Sequence, residues 1–312
     1  MSNCIAVMDL GTNTFHLLIA DVTDGTFNEL ARDHEAVKLG EGGINKGHIQ
    51  QNAFDRGIAA MERFSSQIGQ YNVKRVKAIA TSALRSASNG TDFINTVKEH
   101  TGIEIEIIDG IKEATYIYHG VKAAGALSAS TSLIMDIGGG SVEFIICTQD
   151  EMLWKQSFEI GAARLIERFH QVDPIPAEAI QQLHAYLDEI LKDLFTAAKD
   201  IGVDKLIGSA GAFETFAEVL ELEKQDDFDV KHIKTYDFDL DSFIRITDIL
   251  IASSSQQRKA MKGIISLRVD MIVVASIITR YVMDKLNIKR VSMSTYSLKE
   301  GVMVVQALSL ES

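Results

Sequence analysis

The sequence predicts a mixed α/β protein built from two duplicated halves, and three observations carry that prediction. At 312 residues the chain is longer than one hydrophobic core comfortably serves, so two domains are expected. Strand-like runs and amphipathic helical stretches follow one another in both halves. The stretch "MDLGTNTFHLLI" (8–19) also lies over "MDIGGGSVEFII" (135–146) without a gap. Asp9 then falls on Asp136, Gly11 on Gly138 and Thr14 on Ser141, while Phe15, Leu17, Leu18 and Ile19 fall on Val142, Phe144, Ile145 and Ile146. Two such hairpins, each opening one half, point to duplicated domains over 1–125 and 126–312, with the hairpins facing each other across a cleft.

The elements follow in order. Strands are expected at 4–8, 15–21, 76–80 and 103–108, with a helix over 52–70 that carries Phe54, Ile58, Met61, Phe64 and Ile68 on one side. "SLIMDIGGGSVEFIICT" (132–148) starts the second half. A helix over 177–198 follows, with Ile180, Leu183, Leu187, Ile190, Leu191 and Leu194 at helical spacing. Asp241 is expected to N-cap the next helix, and long helices continue to about 283. The last stretch, about 299–312, is expected to be a helix that packs back on the first domain.

Composition narrows the function. Hydrophobic residues make up 46%, and the only prolines are Pro174 and Pro176, so the chain reads as globular without a Pro-rich linker. A formal net charge of −12 argues against nucleic acid or an anionic membrane as partner, because both need a basic face. Cys4 and Cys147 form no metal or redox spacing and fit a reducing cytosol. The longest apolar run, 271–282, is too short to span a bilayer and contains Arg280, so a cytoplasmic protein is expected.

A buried strand ending in a carboxylate and a glycine-rich turn suits phosphate chemistry. Each turn, Gly11-Thr12-Asn13-Thr14 and Gly138-Gly139-Gly140-Ser141, offers backbone N–H groups to phosphate oxygens, and Asp9 and Asp136 sit where the accompanying cation would be. The bland alternative is that each aspartate caps a turn. Strand alternation puts Glu143 on the face of Ser141, with His16 at the equivalent place in the first hairpin, where a structural histidine is the simpler reading.

Several stretches taken together resemble the exopolyphosphatase and guanosine pentaphosphate phosphohydrolase family, in its short two-domain form. They are "AVMDLGTNTFHLLIADV", "KAIATSALRSASN" (77–89), "IIDGIKEATYIYHGV" (107–121), "LIMDIGGGSVEFII" and "FEIGAARLIERF" (158–169), followed by "SLRVD" (266–270) and "SLKEG" (297–301). The resemblance implies two actin-like (ribonuclease H-like) α/β domains facing across a phosphate-binding cleft. It departs from the usual family pattern at Asp109, Lys112, Ala275, Ser297 and Lys299.

What the resemblance implies is a hydrolase that removes the terminal phosphate of inorganic polyphosphate, with guanosine pentaphosphate (pppGpp) as the alternative substrate. An ATP-dependent kinase of the same fold and a non-catalytic nucleotide-binding regulator are more distant alternatives. Glu113 matches the family's catalytic glutamate and would be the general base. On the residues alone the favoured reading is structural: a glutamate in a first helical turn complements the helix dipole or closes a capping box. Arg85 would bind phosphate through its fork of donors, against the alternative of a surface salt bridge. Asp9, Asp136 and Glu143 are hard oxygen ligands for Mg2+ bound together with substrate, and Glu143 is also a catalytic candidate that would position water. "IGSAGAFET" (207–215), with Gly208, Ser209 and Gly211, resembles a loop near the nucleotide, and "KLGEGGINKG" (38–47) is a further glycine-rich loop. Arg164, Arg268 and Lys299 match family motifs, though ordinary ion pairing explains each. For assembly the resemblance suggests a homodimer.

Overall fold

The computed structural model describes residues 3–309 apart from 24 and 226. The first half runs β1 (Asn3–Leu10), β2 (Phe15–Thr23), β3 (Thr26–Glu35), α1 (Gln51–Ile68), β4 (Arg75–Ala80), α2 (Ser82–Ser86), α3 (Gly90–Thr101), β5 (Ile105–Ile107) and α4 (Gly110–Ala123). The second opens with β6 (Ser132–Ile137), β7 (Val142–Cys147), β8 (Met152–Phe158), α5 (Ala162–Phe169), α6 (Ala177–Ile190) and α7 (Lys192–Ile201). It continues with β9 (Lys205–Ser209), α8 (Gly211–Lys224), β10 (Thr235–Phe238), α9 (Leu240–Ala252), α10 (Ser255–Ala260), α11 (Met271–Leu286), β11 (Val291–Ser294) and α12 (Leu298–Leu308).

Strand order makes the duplication explicit. The first sheet is ordered β3-β2-β1-β4-β5, and the second, read from β8, is β8-β7-β6-β9-β11 with β10 added at the edge. In each, the opening strand pairs antiparallel with the next and parallel with the fourth. The fifth strand is parallel to the fourth in both sheets. Both halves therefore have the actin-like, ribonuclease H-like topology. The opening strands are apolar on both faces because helices cover them: β6, "SLIMDI", is buried along its whole length.

Contacts divide the chain into two units. One comprises Met1–Ala123, Gly138–Gly140 and Ser297–Ser312; the other comprises Ala124–Ile137 and Ser141–Tyr296. In the first, Phe93 packs edge-on against Phe54 and Phe15, with ring centroids 5.1 and 6.3 Å apart. In the second, Phe216 and Phe238 pack against Phe243 at 5.3 and 4.9 Å.

Two expectations need correction, at 177–198 and at Asp241, and one strand was not expected. β3, "TFNELARDHE", was not expected: it is an edge strand whose charged side chains carry no clean alternation. The stretch 177–198 is two helices, α6 and α7, meeting at Leu191, whose ψ of 15° leaves the helical path. Asp239, two residues before Asp241, caps α9 by accepting the Ser242 N–H at 2.9 Å. The last helix covers Leu298–Leu308, and residues 310–312 of the expected helix lie outside the described residues.

α12 crosses α4 backbone to backbone. A Cβ at Gly120 would lie 2.1 Å from the Ser297 carbonyl oxygen, and one at Gly301 would lie 1.7 Å from that of Tyr116. Glu300, one residue earlier, is fully buried. Its Oε1 lies 3.0 Å from Arg32 Nη1 and 3.1 Å from Lys299 Nζ, and its Oε2 accepts the Ser297 N–H in a capping box. Burial works to raise the Glu300 carboxyl, but Lys299 and Arg32 outweigh it and hold the group below the usual carboxylate range.

Gly301→Ala is expected to force the helices apart and cost about 1–3 kcal/mol or more, read as a lower urea midpoint. Glu300→Gln leaves two cations facing a buried neutral amide and is expected to cost about 3–5 kcal/mol at neutral pH. Because the folded pKa of Glu300 is depressed, its contribution is present above the unfolded value of about 4.3 and is lost as pH falls through the folded value. Urea melts should therefore show the gap between wild type and variant closing below about pH 4.

Candidate active site

The first glycine-rich turn is closed and braced by backbone hydrogen bonds. Gly11 N–H donates to Thr14 O at 3.1 Å. From the segment after β3, Lys38 N–H donates to Asn13 O at 2.8 Å and Gly40 N–H to Thr12 O at 3.0 Å. A trans peptide holds its carbonyl and the following N–H on opposite sides, so tying these two carbonyls turns the Asn13 and Thr14 amides the other way. The loop "KLGEGGINKG" thus acts as a brace for the turn.

Gly138–Gly140 groups with the first unit and packs on this turn. A Cβ on Gly139 would stand 2.4 Å from Asn13 Nδ2, and one on Gly140 would stand 2.5 Å from Ser82 Oγ and 2.7 Å from Thr12 Oγ1. The two glycine-rich turns therefore meet at Thr12, Asn13 and Ser82, with Thr12 and Ser82 buried.

Glu113 sits in the first turn of α4 and is buried. Asp109 Oδ1 caps the helix by accepting the Lys112 N–H at 2.7 Å, whereas Glu113 Oε2 accepts a hydrogen bond from Arg85 Nη1 at 3.0 Å. The same guanidinium nitrogen donates to the Ile108 carbonyl at 3.0 Å, so Arg85 is an internal anchor for the carboxylate. Lys112 pairs with Glu106. Two of the family departures, Asp109 and Lys112, thereby do structural work at this helix end.

In the second unit four polar residues form one row across four strands. Ser209 on β9 pairs in register with Asp136 on β6, Asp136 with Glu143 on β7, and Glu143 with Ser157 on β8. Paired residues share a sheet face, so all four side chains lie on the same side. Ser209 Oγ donates to Asp136 Oδ2, and Ser157 Oγ donates to Glu143 Oε1 at 2.6 Å. Asp136, Glu143 and Ser209 are buried, as is Ser141 at the start of β7.

Among the described residues no group of three His, Cys, Asp or Glu side chains forms a metal cage. The donors present are carboxylates, and Asp136 and Glu143 are neighbours on adjacent strands. Such a set suits Mg2+, which keeps most of its waters and takes one or two carboxylates together with substrate phosphate oxygens. Asp9 belongs to the first unit, in register with His16 and Ile79.

The remaining candidates have partners within the fold. Gly208 lies under the Phe213 ring, and Gly211 lies against the Arg268 guanidinium. Between them Ala210 has φ +65°, a left-handed conformation that strains an L-residue at the mouth of α8. Arg268 donates to Thr215 Oγ1 at 2.8 Å and Glu214 Oε2 at 3.0 Å, and Arg164 pairs with Glu159. The remaining departures are also structural: Ala275 is buried in α11, Ser297 caps α12 and Lys299 faces Glu300.

Sequence reading missed Ser82 and Ser157, and it named the 38–47 loop without its bracing contacts at 38 and 40. Strand register would have exposed Ser157, because it lies opposite Glu143, but β8 had not been delimited. The other two join residues distant in the chain and carry no local signal.

The Ppx/GppA phosphatase family matches residues 18–310. The chain belongs to this family. A crystal structure of an exopolyphosphatase from Cytophaga hutchinsonii is 41% identical, with a TM-score of 0.95 over 98% of both chains. A Haemophilus influenzae relative is 28% identical over 298 residues, 96% of this chain and 90% of its own. The Ppx/GppA family member of Aquifex aeolicus shares the fold, with a TM-score of 0.83 at 24% identity over 100% of both chains. The protein is thus a phosphoanhydride hydrolase of the Ppx/GppA family. No helix among the described residues is long and apolar enough to cross a membrane.

Proposed function

We propose that the protein is a Mg2+-dependent exopolyphosphatase that hydrolyses the terminal phosphoanhydride of inorganic polyphosphate, with Glu113 as general base. The observation that carries this reading is the buried Glu113 carboxylate, held by Arg85, in the unit that also contains the first glycine-rich turn and Gly138–Gly140 of the second. A glutamate serving only the helix would not be buried against an arginine while Asp109 does the capping.

In the reaction, amides of Thr12–Thr14 and Gly138–Ser141 hold phosphate oxygens, since backbone N–H groups approach closely only where side chains are small. Glu113 accepts a proton from water as the water oxygen bonds to the terminal phosphorus. The bridging P–O bond breaks, orthophosphate departs, and the chain is left one phosphate shorter. Arg85 orients the base and is the side chain whose guanidinium fork would bind a phosphate oxygen. Asp136 and Glu143 would hold Mg2+, which would supply neutralisation of charge on the transferring group; Asp9 is the corresponding carboxylate of the first unit. Little covalent work is left for the protein, so positioning and charge stabilisation carry the rate. The reading places the enzyme in the cytoplasm, acting on a polyanion and not on nucleic acid or membrane, with a homodimer as its assembly.

Phosphate release from polyphosphate of defined length and from guanosine pentaphosphate, with Mg2+ and no acceptor, tests the reading. Wild type is expected to favour polyphosphate, and Glu113→Gln to lose about 10²–10⁴-fold in kcat while still binding substrate. A preference for guanosine pentaphosphate would move the enzyme to the other substrate of the family. An unimpaired Glu113→Gln would overturn the base assignment.

A further inference from the structure

We infer that Ser157 and Ser209 are positioning residues, whose hydroxyls aim the Glu143 and Asp136 carboxylates for the reaction. The inference rests on the function proposed above and adds to it two residues outside the glycine-rich turns. Its basis is a comparison that the duplicated fold makes within one molecule.

Each half has the same four-strand row, crossing the opening strand at the aspartate next to its last residue. In the second half the row reads Ser209, Asp136, Glu143, Ser157. In the first half the same lattice positions read Ile79, Asp9, His16, His34. The topology is shared, so the requirements of the sheet are shared as well, and they are met in the first half by an isoleucine and two histidines. The His16 and His34 rings lie near each other, with centroids 6.2 Å apart. Folding such a sheet therefore does not demand hydroxyls at these places. Only the second half carries two carboxylates side by side, and only there does a hydroxyl flank each one.

The flanking hydroxyls also meet the electrostatic problem of the row. Glu143 is 1% exposed and Asp136 6% exposed, and like charges directly opposite on neighbouring strands repel. A serine O–H donating to each carboxylate holds one oxygen in a fixed direction, and charge-assisted hydrogen bonds of this kind are short and strong. Outer partners of this type orient the groups that touch metal or substrate without touching either themselves.

Ser157→Ala and Ser209→Ala are each expected to lower kcat about 10–100-fold, with KM for polyphosphate and the melting temperature little changed. Ser157→Thr, which keeps the hydroxyl, should restore kcat. His34→Ala, the matching place in the first half, should leave kcat at the wild-type level. If Ser157→Ala does not fold, Ser157→Cys supplies a near-isosteric side chain with only a weak donor and should show the same loss. Calorimetric titration of tripolyphosphate with Mg2+ gives a readout apart from turnover, and its affinity should change less than kcat does. Wild-type kcat in both alanine variants, or a loss that follows the melting temperature and is not rescued by threonine, would overturn the inference. Glu143→Gln separates this from failure of the underlying reading. If that variant is inactive while the serine variants are normal, only the serines' role falls. If it hydrolyses polyphosphate like wild type, the function proposed for the row falls with them.

Discussion

The contact on which the first unit depends is the crossing of α4 and α12, where Gly120 and Gly301 let two helix backbones approach to a distance that no side chain would allow. It brings the end of the chain onto the unit that contains its beginning and fixes the helix whose first turn presents Glu113. The buried Glu300, flanked by Arg32 and Lys299, locks α12 to β3. A glycine and a glutamate that resemble a functional motif thus act mainly by holding α4 in place, and α4 in turn holds the carboxylate proposed as base.

Duplication explains the architecture, and divergence between the copies explains the chemistry. Both sheets share one strand order, and both opening strands carry an aspartate next to their last residue, before a glycine-rich turn. The polar rows differ: one contains two adjacent carboxylates with serine donors, the other an aspartate beside two histidines. A shared scaffold with unlike rows is what results when two copies keep one strand order and diverge at the same lattice positions.

The repeat was the most legible feature of the sequence, because it lies within twelve consecutive residues and needs no long-range information. The central strands and the helix over α1 were readable for the same reason, as apolar period and burial coincide there. β3 was not legible, since an edge strand answers to solvent more than to a core, and the break at Leu191 hid within an unbroken apolar period. At the site, Glu113 stood out by resemblance, as did Arg85, but their pairing did not. Only the fold brings Arg85, 28 residues away, to its carboxylate, and only strand register brings Ser157 opposite Glu143. Asp109 and Lys112, which depart from the family pattern, became intelligible once the cap and the ion pair with Glu106 were in view.

The central claim is that water attacks the terminal phosphorus of a phosphate chain. Hydrolysis of polyphosphate of defined length in ¹⁸O-enriched water, followed by the ¹⁸O shift in ³¹P NMR, tests it most directly. The account predicts one ¹⁸O in each released orthophosphate and none in the shortened chain. Label at the new chain end, or chains cut internally, would contradict it.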